Sequence, residues 1–171
     1  LGDGSYGVIF QIQDKDSKLK YALKKIIAHD IEEVEIFQHE FELVNSVNHP
    51  HIMKIYGICT RILDLTTIAI YVLMEMDVSD WDNEIKKHIN NKKIYKERDL
   101  LKILKQLVSA LTFMQKHKIS HRDIKPQNIL VFRQGVYKLA DFGEAKEVKI
   151  SKQLNTLRGT ELYMSPILYE G

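Results

Sequence analysis

The residues best equipped for chemistry lie in one run, His121-Arg122-Asp123-Ile124-Lys125-Pro126-Gln127-Asn128. A carboxylate beside a lysine and an amide can take a proton from a hydroxyl, while the ammonium neutralises charge developing on a phosphate. Asp123, Lys125 and Asn128 are the first candidates; the ordinary alternative is a solvated polar loop after a helix. His121 alone is more often a packed histidine than a catalyst, so no chemistry is assigned to it. Asp141-Phe142-Gly143 follows 18 residues beyond Asp123. Its carboxylate adds the second hard oxygen ligand, beside Asn128, that phosphoryl transfer with a divalent cation needs.

Gly2-Asp3-Gly4-Ser5-Tyr6-Gly7 is a G-x-G-x-x-G turn. Glycines let a backbone approach phosphates closely and adopt positive φ. A dinucleotide site needs a helix after the third glycine and an acid about 20 residues on. Here a strand follows, and the residue at that distance from Gly4 is Lys24. A lysine-bearing phosphate loop is excluded because Val8 follows Gly7. A glycine-rich hairpin turn without ligand stays open. Lys24 ends Tyr21-Ala22-Leu23-Lys24 on an expected strand, where lysines usually face solvent.

The elements that must position these residues divide the chain in two. Strands are expected over residues 8–13, with Val8, Phe10 and Ile12 on one face, and over 20–27, 52–58 and 68–76. Between them Val34, Phe37, Phe41, Val44 and Val47 recur at helical spacing over 31–47, and His49-Pro50 stops that helix. Residues 77–82 read as a polar connector. Leu100, Leu104, Leu107, Leu111 and Met114 mark a long amphipathic helix from about 98 to 117. Segments 129–132 and 136–139 suggest a small hairpin, and 141–171 a long loop of the kind that is functional or disordered.

Composition bounds the function classes. The chain has 171 residues, 44% of them hydrophobic and 28% charged, as a globular domain of this length requires. A net charge of +2 makes no case for a nucleic-acid partner. The basic run 86–98 reads as a solvated face. His49 and His51 lack the company of a zinc site. The single cysteine, Cys59, excludes an internal disulfide and points to a reducing, cytoplasmic (intracellular) compartment. The longest apolar run, 68–74, is too short to cross a bilayer, so no membrane partner is expected. No secretory signal opens the chain, which begins on Leu1 and is expected to lack its true N-terminus.

In order, these motifs resemble the catalytic domain of eukaryotic-type serine/threonine protein kinases, from Leu1 to Tyr169. The resemblance implies an α+β, protein-kinase-like two-lobe fold: a small antiparallel sheet lobe with one helix (1–75), a hinge (76–80) and an incomplete, mainly helical lobe (81–171) with an activation segment at 141–167. It implies ATP and Mg²⁺ as cofactors, a protein substrate and an upstream kinase as partners, and transfer of the γ-phosphate to serine or threonine hydroxyls. Gly2, Gly4, Gly7 and Ile9 would cover the phosphates and the base, and Ala22 and Leu130 would sandwich the adenine. Met74 would be the gatekeeper, with Glu75 and Met76 as hinge. Lys24 would hold the α- and β-phosphates and pair with a helix glutamate. Of Glu32, Glu33, Glu35, Glu40 and Glu42, family spacing selects Glu40. Asp123 would act on the acceptor, Lys125 on the transferred group, and Asn128 and Asp141 on Mg²⁺. Arg122 and Lys146 would receive a phosphate on Thr156. Two departures stand out: Ser165-Pro166-Ile167 replaces A-P-E, and the chain stops before the family's C-terminal helices. A fragment of a longer kinase is therefore expected. The alternative is a pseudokinase, a scaffold that binds nucleotide without transfer; it predicts loss of Lys24, Asp123 or Asp141, and all three are present.

Overall fold

The computed structural model describes residues 3–4, 7–45, 48–76, 78–141, 146–147 and 163. They form two units, one from residues up to 45 with 54–76, the other from 48–53 with 78 onward. The sequence grouped 48–53 with the first 75 residues; the fold assigns this segment to the second unit.

The first unit contains β1 (Asp3–Gly4), β2 (Gly7–Gln13), β3 (Lys20–Ala28), α1 (Ile31–Asn45), β4 (Ile55–Ile62) and β5 (Ile68–Glu75). Its strands form one antiparallel sheet in the order β1-β2-β3-β5-β4. The β2–β3 turn is tied by Asp14, whose Oδ1 accepts from the Ser17 N–H and hydroxyl, both at 2.7 Å. At the start of α1, Asp30 Oδ1 caps the Glu33 N–H (2.8 Å), and Glu33 Oε2 reaches back to accept from the His29 N–H (2.9 Å), one residue before the cap. Ala22, Ile26 and Ala28 of β3 and Ile70, Val72 and Met74 of β5 are buried, and Val34 is buried on α1.

Two expectations for this unit change. Val8 and Phe10 are exposed, while Ile9 is half-buried. Apolar residues occupy both faces of β2, so alternation could not say which face the core covers. The third strand begins at Ile55, not at Ile52. Ile52 instead bridges to Leu139, and the Met53 N–H donates to Leu139 O at 2.8 Å.

The second unit contains β6 (Ser79–Asp80), α2 (Trp81–Asn90), α3 (Glu97–Lys116), β7 (Ile119–Ser120), β8 (Ile129–Phe132), β9 (Val136–Leu139) and β10 (Lys146–Glu147). Strands β6, β8 and β9 form one antiparallel sheet, and β10 pairs with β7. Helix α2 starts inside the expected connector. Asp80 caps it, accepting from the Asn83 N–H at 2.7 Å, and its apolar positions are diluted by charge. Helix α3 buries Ile103, Leu107, Ala110 and Met114, whereas Leu104 is exposed. Leu107 and Met114 of the expected stripe are buried and Leu100 and Leu111 half-buried; the stripe widens through Ile103 and Ala110, an alanine that weighs little in a hydrophobic pattern. Among the described residues no helix is long and apolar enough to cross a membrane.

Gly7 has φ +141°, and a Cβ there would strike the Lys25 carbonyl on β3. Gly57 would meet nothing within 4 Å. Gly7→Ala should therefore lower the urea-unfolding free energy by about 2 kcal/mol or more, and Gly57→Ala by less than about 0.5 kcal/mol. Equal effects would remove the assigned reason for glycine at position 7.

Candidate active site

In the first unit, register collects the nucleotide-side candidates on one sheet face. Ile9 lies directly opposite Lys24, and Ala22 directly opposite Met74. Lys24 and Ala22 are two apart on β3, so all four share a face. Ala22 and Met74 are buried there. Gly4 lies opposite Gly7 in the β1–β2 pair. The Glu75 N–H donates to Lys54 O at 3.1 Å and Glu75 Oε1 accepts from the Lys54 N–H at 2.7 Å. That pairing engages the amide of Glu75 next to Met76. Among the helix glutamates, Glu33 is committed to the cap of α1.

In the second unit the candidates converge around Asn128, which is 6% exposed. Its Nδ2 donates to both Asp123 O and Asp123 Oδ2, each at 2.9 Å. Lys125 Nζ lies 2.8 Å from the same Oδ2. Pro126–Asn128 forms a 3-10 turn closed by the Asn128 N–H on Lys125 O at 2.9 Å, with proline at its first position, where the missing N–H costs nothing. The Ala140 N–H donates to Asn128 O at 2.9 Å. Asn128 and Asp141 thus flank the open end of the β8–β9 hairpin, where Ile129 pairs with Leu139. Leu130, the expected floor of the base site, lies on β8 opposite Lys138. Arg122 (φ +64°) and Asp141 (φ +60°) both adopt the left-handed region, sparsely used by non-glycine residues and concentrated at functional sites.

With Nδ2 held by Asp123, the outer end of the Asn128 amide is an oxygen. That oxygen and the Asp141 carboxylate are the hard donors a Mg²⁺ ion takes alongside nucleotide phosphates. The donor set fits the ion.

His121 is 3% exposed. The Ala140 carbonyl can only accept, so His121 Nε2 donates to it at 3.1 Å; the Asp123 N–H can only donate, so Nδ1 accepts at 3.4 Å. This is the neutral Nε2–H form, and burial holds the imidazole below its ordinary range. Sequence reasoning read His121 as a packing residue; its role as a tie between the Asp123 loop and Ala140 had no signature in spacing.

Several expected residues lie outside what the structure describes: Gly2, the side chains of Glu40 and Lys146, Thr156, Gly159-Thr160 and Ser165-Pro166-Ile167. The backbone of Lys146 pairs with Ser120, two residues before Arg122.

Comparison with known proteins matches the protein kinase domain family model over residues 1–170. Serine/threonine-protein kinase 36 of Pongo abelii is 32% identical over 99% of this chain and 12% of its own length. Serine/threonine-protein kinase ULK3 of Homo sapiens is 31% identical over 97% of this chain and 34% of its own. Aurora kinase B of Mus musculus is 30% identical over 100% of this chain and 48% of its own. The chain thus spans less than half the length of each of these curated relatives.

The unfolded chain binds a proton at His121 below about pH 6.5, and the fold resists it. Stability is therefore complete above that pH and falls as pH is lowered, by at most about 1.4 kcal/mol per pH unit for this group. His49, also shifted down by burial, adds in the same direction; Asp14 and Asp64, lowered by hydrogen bonds from Ser17 and Thr66, act only at lower pH. Urea midpoints between pH 7.5 and 5.5 should decline, and His121→Asn should flatten the decline. An unchanged slope in His121→Asn would show that the imidazole is not held neutral.

Proposed function

The chain belongs to the protein kinase domain family, and we propose that it transfers the γ-phosphoryl group of ATP to serine or threonine hydroxyls of protein substrates. The observation that carries the proposal is the convergence of Lys125 and the Asn128 amide on one oxygen of Asp123. The Lys125 ammonium and the neutral Asn128 amide both donate to this oxygen and hold the carboxylate in one orientation, as a positioned base requires.

Asp123 takes the proton of the acceptor hydroxyl as its oxygen bonds to the γ-phosphorus. The bond from that phosphorus to the β–γ bridging oxygen breaks, and ADP leaves. Lys125 neutralises charge on the transferred group through electrostatic stabilisation already in place. Lys24 holds the α- and β-phosphates and pairs with Glu40. Ile9, Ala22 and Met74 line the adenine from the sheet of the first unit, and the backbone of Glu75 and Met76 orients it. The glycines at 2, 4 and 7 let main chain lie close to the phosphates.

The family uses ATP and Mg²⁺, and Asn128 and Asp141 would hold the ion here. Bound Mg²⁺ neutralises phosphate charge. The lysine of H-R-D-I-K-P-Q-N supports the serine/threonine branch, as do the names of the relatives. An intracellular setting rests on the single cysteine.

Within 141–167, Thr156 is the proposed activating phosphosite. Arg122 and Lys146 are its cationic partners, supported by the backbone pairing of Lys146 with Ser120, two residues before Arg122. A phosphate adds nearly two negative charges and can order the segment through charge-assisted hydrogen bonds.

Asp123→Asn keeps an oxygen for the Asn128 amide but cannot take a proton. Transfer of radiolabelled γ-phosphate to a serine/threonine substrate should fall about 10²–10⁴-fold, with ATP affinity changed less than about threefold. Parallel losses of affinity and turnover would make Asp123 structural. Phosphatase treatment should lower wild-type activity at least several-fold and leave Thr156→Ala unaffected. Phosphatase sensitivity surviving in that variant would move the switch elsewhere.

A further inference from the structure

Asn128 and Asp141 depend on the β8–β9 hairpin between them, and one residue of that hairpin is gripped from several sides. Tyr137 is 6% exposed and lies opposite Val131. Its N–H donates to Gln106 Oε1 of α3 at 2.9 Å, and Gln106 Nε2 donates to Gly135 O at 3.0 Å. Its carbonyl accepts from His51 Nδ1 at 3.0 Å. Its hydroxyl donates to Glu84 Oε2 of α2 at 2.7 Å, and the Trp81 ring meets it edge-on at 6.1 Å.

Three of these ties are main-chain bonds, or a bond to the adjoining turn, that any residue at 137 could accept. The fourth is particular to a tyrosine facing an acid. A phenol inside a hairpin core must find an acceptor or lose its hydration uncompensated. Burial, and the hydrogen bond and charge of Glu84, push the phenol far above its ordinary range, so it is a donor throughout the working pH range. An ionised acceptor makes this one of the stronger hydrogen-bond types.

Helix α2 follows β6 directly, and β6 pairs with β8 through Ser79–Val131 and Asp80–Leu130. The hairpin is thus held at one edge by β6 and across its body by Glu84. Loss of the Glu84 tie would let β9 shift relative to α2. That displaces the Ala140–Asn128 bond and, with it, the spacing of Asn128 from Asp141.

We propose that the Tyr137 hydroxyl and the Glu84 carboxylate act as a positioning pair that sets the separation of Asn128 and Asp141 and hence the Mg²⁺ requirement of transfer. This rests on the proposed phosphoryl-transfer function. Groups next to metal ligands typically alter affinity 10–100-fold; one step further out, a change of about three- to tenfold is expected.

The experiment compares wild type, Tyr137→Phe, Glu84→Ala, the double variant and Glu84→Gln in the full-length protein. Tyr137→Phe and Glu84→Ala should each raise the Mg²⁺ concentration for half-maximal transfer about three- to tenfold, with KM for ATP at saturating Mg²⁺ moving less than twofold. The double variant should be no worse than either single one. Glu84→Gln, which keeps an acceptor, should recover most of the loss. A wild-type Mg²⁺ requirement in Tyr137→Phe, or fully additive losses, overturns the pair. Amide hydrogen exchange at Ala140 supplies a readout without turnover: it should quicken at least several-fold in Tyr137→Phe and much less in Glu84→Gln. If wild type transfers no phosphate, the functional reading fails, and the exchange result still decides the positioning role. Unchanged Ala140 exchange in Tyr137→Phe overturns it.

Discussion

One buried amide organises the candidate site of the second unit. The Asn128 side chain donates twice into Asp123, and the residue's main-chain carbonyl accepts from the Ala140 N–H. An unpaired primary amide at that depth would cost several kcal/mol, so the loop carrying Asp123 closes onto Asn128. The same residue is the hinge point between loop and hairpin. Its side chain therefore sets the direction of the Asp123 carboxylate, and its main chain, through Ala140, fixes the strand end next to Asp141.

Around this amide the polar groups satisfy one another in a chain. Lys125 shares the Asp123 oxygen that Asn128 holds, and His121 joins the Asp123 amide to the Ala140 carbonyl. Each link restrains its neighbour, so the carboxylate is preorganised before any ligand arrives, and electrostatic catalysis draws its advantage from that order. The left-handed backbone at Arg122 and Asp141 belongs to the same closure. A local cost at each is offset by bonds the ordinary conformation could not form.

The first unit reaches precision by a different route. There an antiparallel register places Ile9 opposite Lys24 and Ala22 opposite Met74. A shift of one residue would turn all four to the other face, so the buried apolar residues of β3 and β5 determine where the lysine projects. The Asp30 cap, with Glu33 bonded back to the His29 N–H, then starts α1 at a defined residue and commits one of its acids.

Much of this was legible in the chain. The residue types at 121–128, the D-F-G run at 141 and the lysine of the second main strand are chemical requirements, and chemistry constrains identity at fixed spacing. The hairpin at 129–139 was legible as well, because Gly135 and flanking apolar runs speak locally. Tertiary structure alone decided the rest. Alternation could not tell which face of β2 is covered, since Val8, Ile9 and Phe10 are all apolar. Periodicity found Leu107 and Met114 of α3 but included the exposed Leu104 and passed over Ala110, because it weighs hydrophobicity and not closeness of approach. Helix α2 was hidden by its charges, and Ile52 left its expected strand for Leu139. The burial of His121, and the meeting of Tyr137 with Glu84 from 53 residues away, depend on packing between segments distant in sequence. Such contacts are settled only by how the whole chain fills space, which no local pattern encodes.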